Sequence, residues 1–358
     1  RNTGDKKSRQ IIRRAIRQNP EAIIVVIGCY AQLAPKEVQQ IEGVDIILGT
    51  QGREHFMDYV KQYQAEREPI VAVTNILKQR EFEKIDVHHF AENTRAFLKI
   101  QEGCNNFCTF CIIPYARGKI RSRDYNDIIA QANDLVANGY KEIVLTGIHT
   151  AGYGEDLETY NFADLLTALS NEVQGLKRLR ISSIEASQIT DDVLEVLKNS
   201  DVIVDHLHVP IQSGTDSILK RMRRKYLTDH YEETIGKLRE IFPNLAVTTD
   251  LIVGFPGETD DEFADTYDFI EKIGFSELHV FPYSIRNGTP AARMPDQVPE
   301  LVKSARVSRM IALSDQMAKE YASRFENQIL DVLVEEVDKE DERFVIGHTT
   351  NYLKVRFK

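Results

Sequence analysis

The chain has 358 residues, 42% of them hydrophobic and 28% charged, with a formal net charge of −10. This is an ordinary globular composition in a chain long enough for more than one core. No apolar run can cross a bilayer and no secretory leader is visible; four cysteines in so long a chain exclude a disulfide framework. The acidic balance counts against a uniform nucleic-acid-binding surface, yet basic residues cluster at 6–17, 117–123, 220–225 and 354–358. Starting at Arg1 and stopping inside a strand-like run, the sequence reads as a piece of a longer cytoplasmic enzyme.

In chain order, Thr3 is expected to cap a helix with an apolar stripe of Ile11, Ile12, Ala15 and Ile16, stopped by Asn19-Pro20. A buried strand at 22–27 leads into Gly28-Cys29-Tyr30-Ala31-Gln32. A helix from Pro35, a strand at 44–48 and a helix at about 53–63 follow. This order implies a parallel, Rossmann-like sheet over 1–70, whose ligands gather at the carboxyl ends of the strands. Cys29 falls there, although a lone cysteine is also a common small buried residue. The polar stretch 65–94 reads as a connection, its linker proper being 71–94.

From 95 to 325 the pattern repeats. Strands are expected at 96–101, 142–148, 178–184, 203–209, 245–253 and 276–283, with helices at 124–138, 161–170, 190–199, 228–241, 259–273 and 299–325. Thr259 and Glu262 form a capping box. Six βα units give an α/β fold, a partial (β/α)6 barrel with its chemistry in the loops after the strands. Those loops hold Gly147, Glu185, Gln212 and Ser213, and Asp250 lies on the fifth strand. Gly254, Gly257 and Glu258 are also readable as turn and first-turn residues. In 326–358, short strands end in a run that alternates Leu353, Val355 and Phe357 with Lys354, Arg356 and Lys358, the start of a small β-barrel with one basic face.

After the first barrel strand comes Glu102-Gly-Cys104-Asn-Asn-Phe-Cys108-Thr-Phe110-Cys111. Closely spaced thiolates suit zinc or an iron–sulfur cluster. A structural zinc site needs a fourth ligand, for which Cys29, His88 and His89 are the candidates. Three thiolates leave one iron of a [4Fe–4S] cube open for chemistry. Arg117, Arg121 and Arg123, just beyond, are expected either to meet RNA or to pair with acids. A zinc-stabilised RNA-binding adaptor without catalysis is the alternative of another class, but it leaves the six barrel units unexplained.

The Cys104/Cys108/Cys111 loop with its aromatic Phe110 resembles that of the radical S-adenosylmethionine (SAM) enzymes. The run from Glu102 to Gly118, and Gly28-Cys29-Tyr30-Ala31-Gln32, resemble the methylthiotransferases among them. The resemblance implies that Cys104, Cys108 and Cys111 ligate a [4Fe–4S] cluster whose open iron takes SAM, and that cleavage of SAM yields a 5′-deoxyadenosyl radical. It implies that Cys29 is the third ligand of an auxiliary [4Fe–4S] cluster, the other two cysteines preceding Arg1. Phe110, Gly147, Glu185, Gln212, Ser213 and Asp250 match SAM-binding positions. The last segment resembles a TRAM domain, which binds RNA, with Lys354 and Arg356 toward the phosphates. Leu145-Thr-Gly-Ile-His149-Thr150 and His206-Leu-His208-Val-Pro210 are similar to the branch that methylthiolates C2 of N6-threonylcarbamoyladenosine in tRNA. Other branches act on isopentenyladenosine in tRNA or on a ribosomal-protein aspartate. A flavodoxin- or ferredoxin-like electron donor and a sulfur source are implied partners, and no membrane.

Overall fold

The computed structural model describes residues 2–85 and 94–358; His88 and His89 lie outside the described residues. These divide into two compact units.

The first unit takes residues 2–85 together with Glu102–Arg121 and Ser284–Ala292. Its elements are α1 (Asn2–Gln18), β1 (Val25–Ile27), α2 (Cys29–Leu33), α3 (Pro35–Gln39), β2 (Ile46–Leu48), α4 (Phe56–Glu66), β3 (Ile70–Ala72) and α5 (Ile113–Arg117). The strands pair in parallel in the order β1-β2-β3, with Val25 opposite Ile46 and Ile46 opposite Ile70. Pro35 at the start of α3 cannot continue α2.

Three expectations are corrected here. Thr3 lies inside α1 rather than ahead of it, and a cap needs non-helical backbone. Ile11 is 67% exposed, so the stripe of α1 that turns inward is Ile12, Ala15 and Ile16. The stretch read as connection contains β3, a full member of the sheet.

The second unit takes residues 94–101, Ser122–Tyr283 and Arg293–Lys358. It opens with β4 (Arg95–Lys99); the chain leaves along β5 (Gln101–Glu102) and returns along β6 (Arg121–Ser122). Then come α6 (Tyr125–Ala137), β7 (Glu142–Thr146), α7 (Phe162–Glu172), β8 (Arg178–Ile181), α8 (Asp191–Asn199), β9 (His206–His208), α9 (Asp216–Met222), α10 (Thr228–Ile241), β10 (Ala246–Val253), α11 (Asp260–Ile273), β11 (Glu277–Pro282) and α12 (Glu300–Ser323). Parallel sheets β4-β7-β8 and β9-β10-β11 are joined by a bridge between Leu179 and Ile203. The result is the open six-stranded β/α barrel. Its capping box is present: Thr259 Oγ1 accepts from the Glu262 N–H, and Glu262 accepts from the Thr259 N–H. α9 went unforeseen, because Asp216–Met222 is too short and too polar to show a period.

The two faces of the strands carry opposite chemistry. Leu98, Ile143, Leu145, Leu179, Leu207, Val247 and Leu251 face the helices in one apolar core with Ile128, Leu135, Leu165, Leu169 and Leu313. Alternate positions supply Arg95, Arg180, His206, His208, Thr248, Asp250 and His279, which line a cavity of 520 Å³. A closed eight-stranded barrel fills its interior with branched aliphatics. This one keeps an open lumen in which those polar groups stand among Phe97, Val144 and Ile181, the kind that holds a ligand.

The last strands β12 (Val332–Val337), β13 (Val345–Thr349) and β14 (Lys354–Phe357) form an antiparallel meander. Its β13–β14 turn is the floor of the lumen. The Tyr352 ring stacks between His206 and His348, 4.7 Å from each, with the Arg180 guanidinium 4.8 Å from its centroid. Arg178 donates to the carbonyls of His348 and Asp331, and Arg180 to that of Thr350.

Candidate functional site: a thiolate loop and a polar barrel lumen

The three clustered cysteines lie in the first unit, with Cys29. The loop is held by its own backbone. Cys104 N–H donates to the Gly118 carbonyl at 3.0 Å, Cys111 N–H to that of Cys108 at 2.9 Å, and Ala291 N–H to that of Thr109 at 2.9 Å. The Ile120 N–H finds Asn105 Oδ1 at 3.2 Å, and the Asn106 N–H points at Cys104 Sγ, 3.5 Å away. Phe107 sits at φ 47°, its ring edge-on to Tyr115. Cys108 is buried, and Cys104, Cys111 and Phe110 are half-buried.

Gly103 admits the chain to this loop at φ 77°. A Cβ there would be 2.5 Å from the carbonyl carbon of Lys119 and 2.7 Å from the oxygen of Gly118, and closer still to the Lys119 oxygen. All three are backbone, so none can swing aside. Gly103→Ala should cost about 1–3 kcal/mol from the positive φ alone, with the overlap in addition. The expected outcome is a displaced loop: reconstituted iron falls while the number of titratable thiols stays the same. Wild-type iron content in this variant would remove the requirement.

The donor set fits a cluster. Three cysteines on one loop supply soft thiolate ligands for iron. Among the described residues, no three His, Cys, Asp or Glu side chains converge closely enough to hold a single ion; a cube instead takes each thiolate on a different iron.

Cys29 opens α2 after Gly28. Arg117, the last residue of α5, directs its Nε–H to Cys29 Sγ at 3.1 Å and its Nη1 to Glu102 Oε1 at 2.9 Å. Glu102 is 3% exposed. The neighbouring arginines are also committed inward. Arg121 is 1% exposed and donates to the carbonyls of Arg117 and Lys119. Arg123, 4% exposed, bonds the side chain of Gln131. The expectation that Arg117, Arg121 and Arg123 meet RNA is corrected, because these guanidiniums brace the protein itself. At the other candidate RNA face, Lys354 and Arg356 are exposed on β14 as the alternation foretold; Arg356 pairs with Asp338 and lies over the Phe344 ring.

In the second unit, Asp250 lines the lumen with His208 Nε2 3.6 Å from its carboxylate. His208 Nδ1 and His206 Nε2 both meet Thr248 Oγ1, at 3.0 and 3.2 Å. Burial, with Arg180 nearby, holds the His206 imidazole well below its usual pKa, so it is neutral at pH 7. Gln212, at φ 70°, exchanges backbone hydrogen bonds with the strand at Asp250 and Ile252, and Ser213 is buried beside it. Gly147 lies close under Gln101, whose Oε1 accepts the His149 N–H at 3.0 Å. Glu185 pairs with Arg224 at 2.9 Å. Burial lowers the pKa of His149, and the Glu185 and Glu155 carboxylates oppose that. Of the expected cofactor residues, Asp250 alone lines the lumen cavity. Arg224, His208 and His279 were missed as site residues. The repeat His206-Leu-His208 at strand period was the available signal for the first lumen pair.

Comparison with known proteins agrees with this architecture. The radical SAM superfamily model matches residues 98–270, and that of uncharacterized protein family UPF0004 matches residues 1–49. The chain is 63% identical over its whole length to the threonylcarbamoyladenosine tRNA methylthiotransferase MtaB of Bacillus subtilis, covering 80% of that protein. It is 38% identical, over 95% of its length and 76% of the relative's, to the tRNA-2-methylthio-N(6)-dimethylallyladenosine synthase of Clostridium botulinum. Among solved structures, the radical SAM methyltransferase TsrM of Kitasatospora setae superposes with a TM-score of 0.61 at 15% identity, over 80% of this chain and 62% of that one; this likeness speaks to fold alone. No helix of the described residues is long and apolar enough to cross a membrane. With one fold, one thiolate loop and end-to-end identity at this level, the chain belongs to the radical SAM tRNA methylthiotransferase family.

Proposed function

We propose that this enzyme methylthiolates C2 of N6-threonylcarbamoyladenosine in tRNA, in the cytoplasm. The observation that carries the reading is the 63% identity across the whole chain to a relative named for that substrate. It is supported by Cys29 and the Cys104/Cys108/Cys111 loop sharing one unit, since the reaction needs a sulfur-bearing site and a SAM-cleaving site together.

In this reading Cys104, Cys108 and Cys111 hold a [4Fe–4S] cluster, and Cys29 with two upstream cysteines holds the second. When bound, the first supplies the electron that cleaves SAM and starts hydrogen abstraction, and the second presents the sulfur. The protein binds, orients and excludes water. Within the second unit, Gly147, Glu185, Gln212 and Ser213 would hold SAM, with Asp250 accepting hydrogen bonds at the lumen wall. The lumen, floored by Tyr352, keeps bulk water from the reacting carbon. Residues 95–325 form the radical SAM domain and 326–358 begin a TRAM domain, whose Lys354 and Arg356 face meets tRNA phosphates. A flavodoxin- or ferredoxin-like donor and a separate sulfur source complete the cycle.

The test gives the full-length reconstituted enzyme a reductant, SAM and one of two tRNAs, bearing threonylcarbamoyladenosine or isopentenyladenosine, and reads digested nucleosides by mass spectrometry. The 2-methylthio product should form on the first. Product on the isopentenyladenosine tRNA alone would transfer the enzyme to the other branch.

A further inference from the structure

The guanidinium of Arg117 differs from those of Arg121 and Arg123 in its acceptors: they bond backbone carbonyls and an amide side chain, whereas it bridges a thiol sulfur and a carboxylate. Its Nε–H is aimed at Cys29 Sγ and its Nη1 is fixed by the buried Glu102. Two separate acceptors set the plane of a planar fork, so the direction of the Nε–H is fixed as well as its distance. The contact joins residues 88 apart in sequence. Arg117 ends the helix that follows the three-cysteine loop, whereas Cys29 begins the helix after β1. Glu102 also lies 3.9 Å from Arg53, itself paired with the buried Glu83. The Arg117 end of this chain of charges therefore has little freedom to move.

We propose that Arg117 is a positioning residue that tunes the iron–sulfur cluster held through Cys29, making it easier to reduce, while tethering that cysteine to the SAM-cleaving loop. The inference rests on the reading of Cys29 as a cluster ligand. A hydrogen bond to a ligand sulfur withdraws electron density from the metal group, and a fixed cation beside it favours the state with one more electron. Both effects shift the reduction potential in the positive direction. Lysine keeps the charge but has no fork to hold one N–H on the sulfur while bonding Glu102. The two contributions are therefore separable by substitution.

The experiment uses the full-length protein with Cys104, Cys108 and Cys111 all replaced by Ala, so that only the Cys29 site binds a cluster. After anaerobic reconstitution, iron and sulfide per chain are measured and the midpoint potential is read by titration followed by electron paramagnetic resonance. Arg117→Gln should move the midpoint to more negative values at unchanged iron content, and Arg117→Lys should recover part of the shift. Glu102→Gln loosens the arginine but also removes an anion, so its midpoint should lie positive of that of Arg117→Gln. An unchanged midpoint in Arg117→Gln overturns the proposal. So does a fall in bound iron across all three variants with the remaining cluster titrating as before, which marks a merely structural residue. If the triple-alanine background binds no iron, the assignment of Cys29 fails and the proposal fails with it. If it binds iron but the wild-type enzyme forms no methylthio nucleoside, the substrate reading fails and the potential still decides the role of Arg117.

Discussion

Cys108→Ser should reduce 5′-deoxyadenosine formation to background while leaving the barrel folded. Serine matches cysteine in shape, so the backbone turn from Cys108 to Cys111 remains available. What changes is the donor: a hard, neutral hydroxyl is a poor partner for iron that prefers thiolate. With two thiolates left on the loop, one fewer than the three the intact loop supplies, the cluster should not assemble there. Cys108 is buried but is not a member of the apolar core that holds the barrel together, and a near-isosteric change there leaves that core intact. Three measurements decide it: iron and sulfide per chain, deoxyadenosine by mass spectrometry, and the thermal midpoint. Wild-type deoxyadenosine production by this variant would sink the assignment of the loop.

The largest effect on stability is expected at Glu142. Its carboxylate is 1% exposed at the start of β7, with Arg180 Nε at 2.7 Å, Arg178 Nη1 at 3.6 Å and Arg95 Nη1 at 3.9 Å. Arg95 also pairs with Glu335 and Arg178 with Asp331, so Arg180 is the guanidinium that depends most on this anion. Removing one partner of a buried pair leaves the other desolvated and uncompensated, at a cost of about 3–5 kcal/mol. Glu142→Leu should therefore lower the melting temperature by roughly 10 °C. Replacing the pair is a different matter, because well-packed apolar groups can substitute for a buried ion pair without loss. Adding Arg180→Met to Glu142→Leu should regain much of the deficit. A loss below about 1 kcal/mol in the single variant would mean that water, not the arginines, solvates this carboxylate.

What could be read in advance followed the range of the interactions involved. The barrel strands and most of its helices were legible because each is a local period, and α6, α7, α8 and α11 carry side-chain caps as well. The observed β10 and α10 match their expected spans to within a residue at each end. The cysteine loop was legible because its ligands are neighbours in sequence. Arg121 was not: a basic run looks solvated until one knows that the carbonyls of Arg117 and Lys119 curl back around it. Nor was the Arg117–Cys29 contact, since no local signal connects positions 88 apart. β3 was hidden by brevity: three residues, Ile70–Ala72, inside a charged stretch carry no countable alternation.

The floor of the lumen sets an order on how the molecule is made. Arg180 is bonded by the carbonyl of Thr350, 170 residues later in the chain, and His206 is stacked by Tyr352. On a ribosome elongating at about 5–20 residues per second, Arg180 emerges roughly 10–30 s before the carbonyl that bonds it. During that interval the inward-facing arginines and histidines form an open, charged basin that water fills freely. The final antiparallel turn then expels that water as it docks. Completion of the lumen thus waits until Thr350 and Tyr352 have emerged, and a nascent chain stalled before residue 350 would carry a barrel wall with no base.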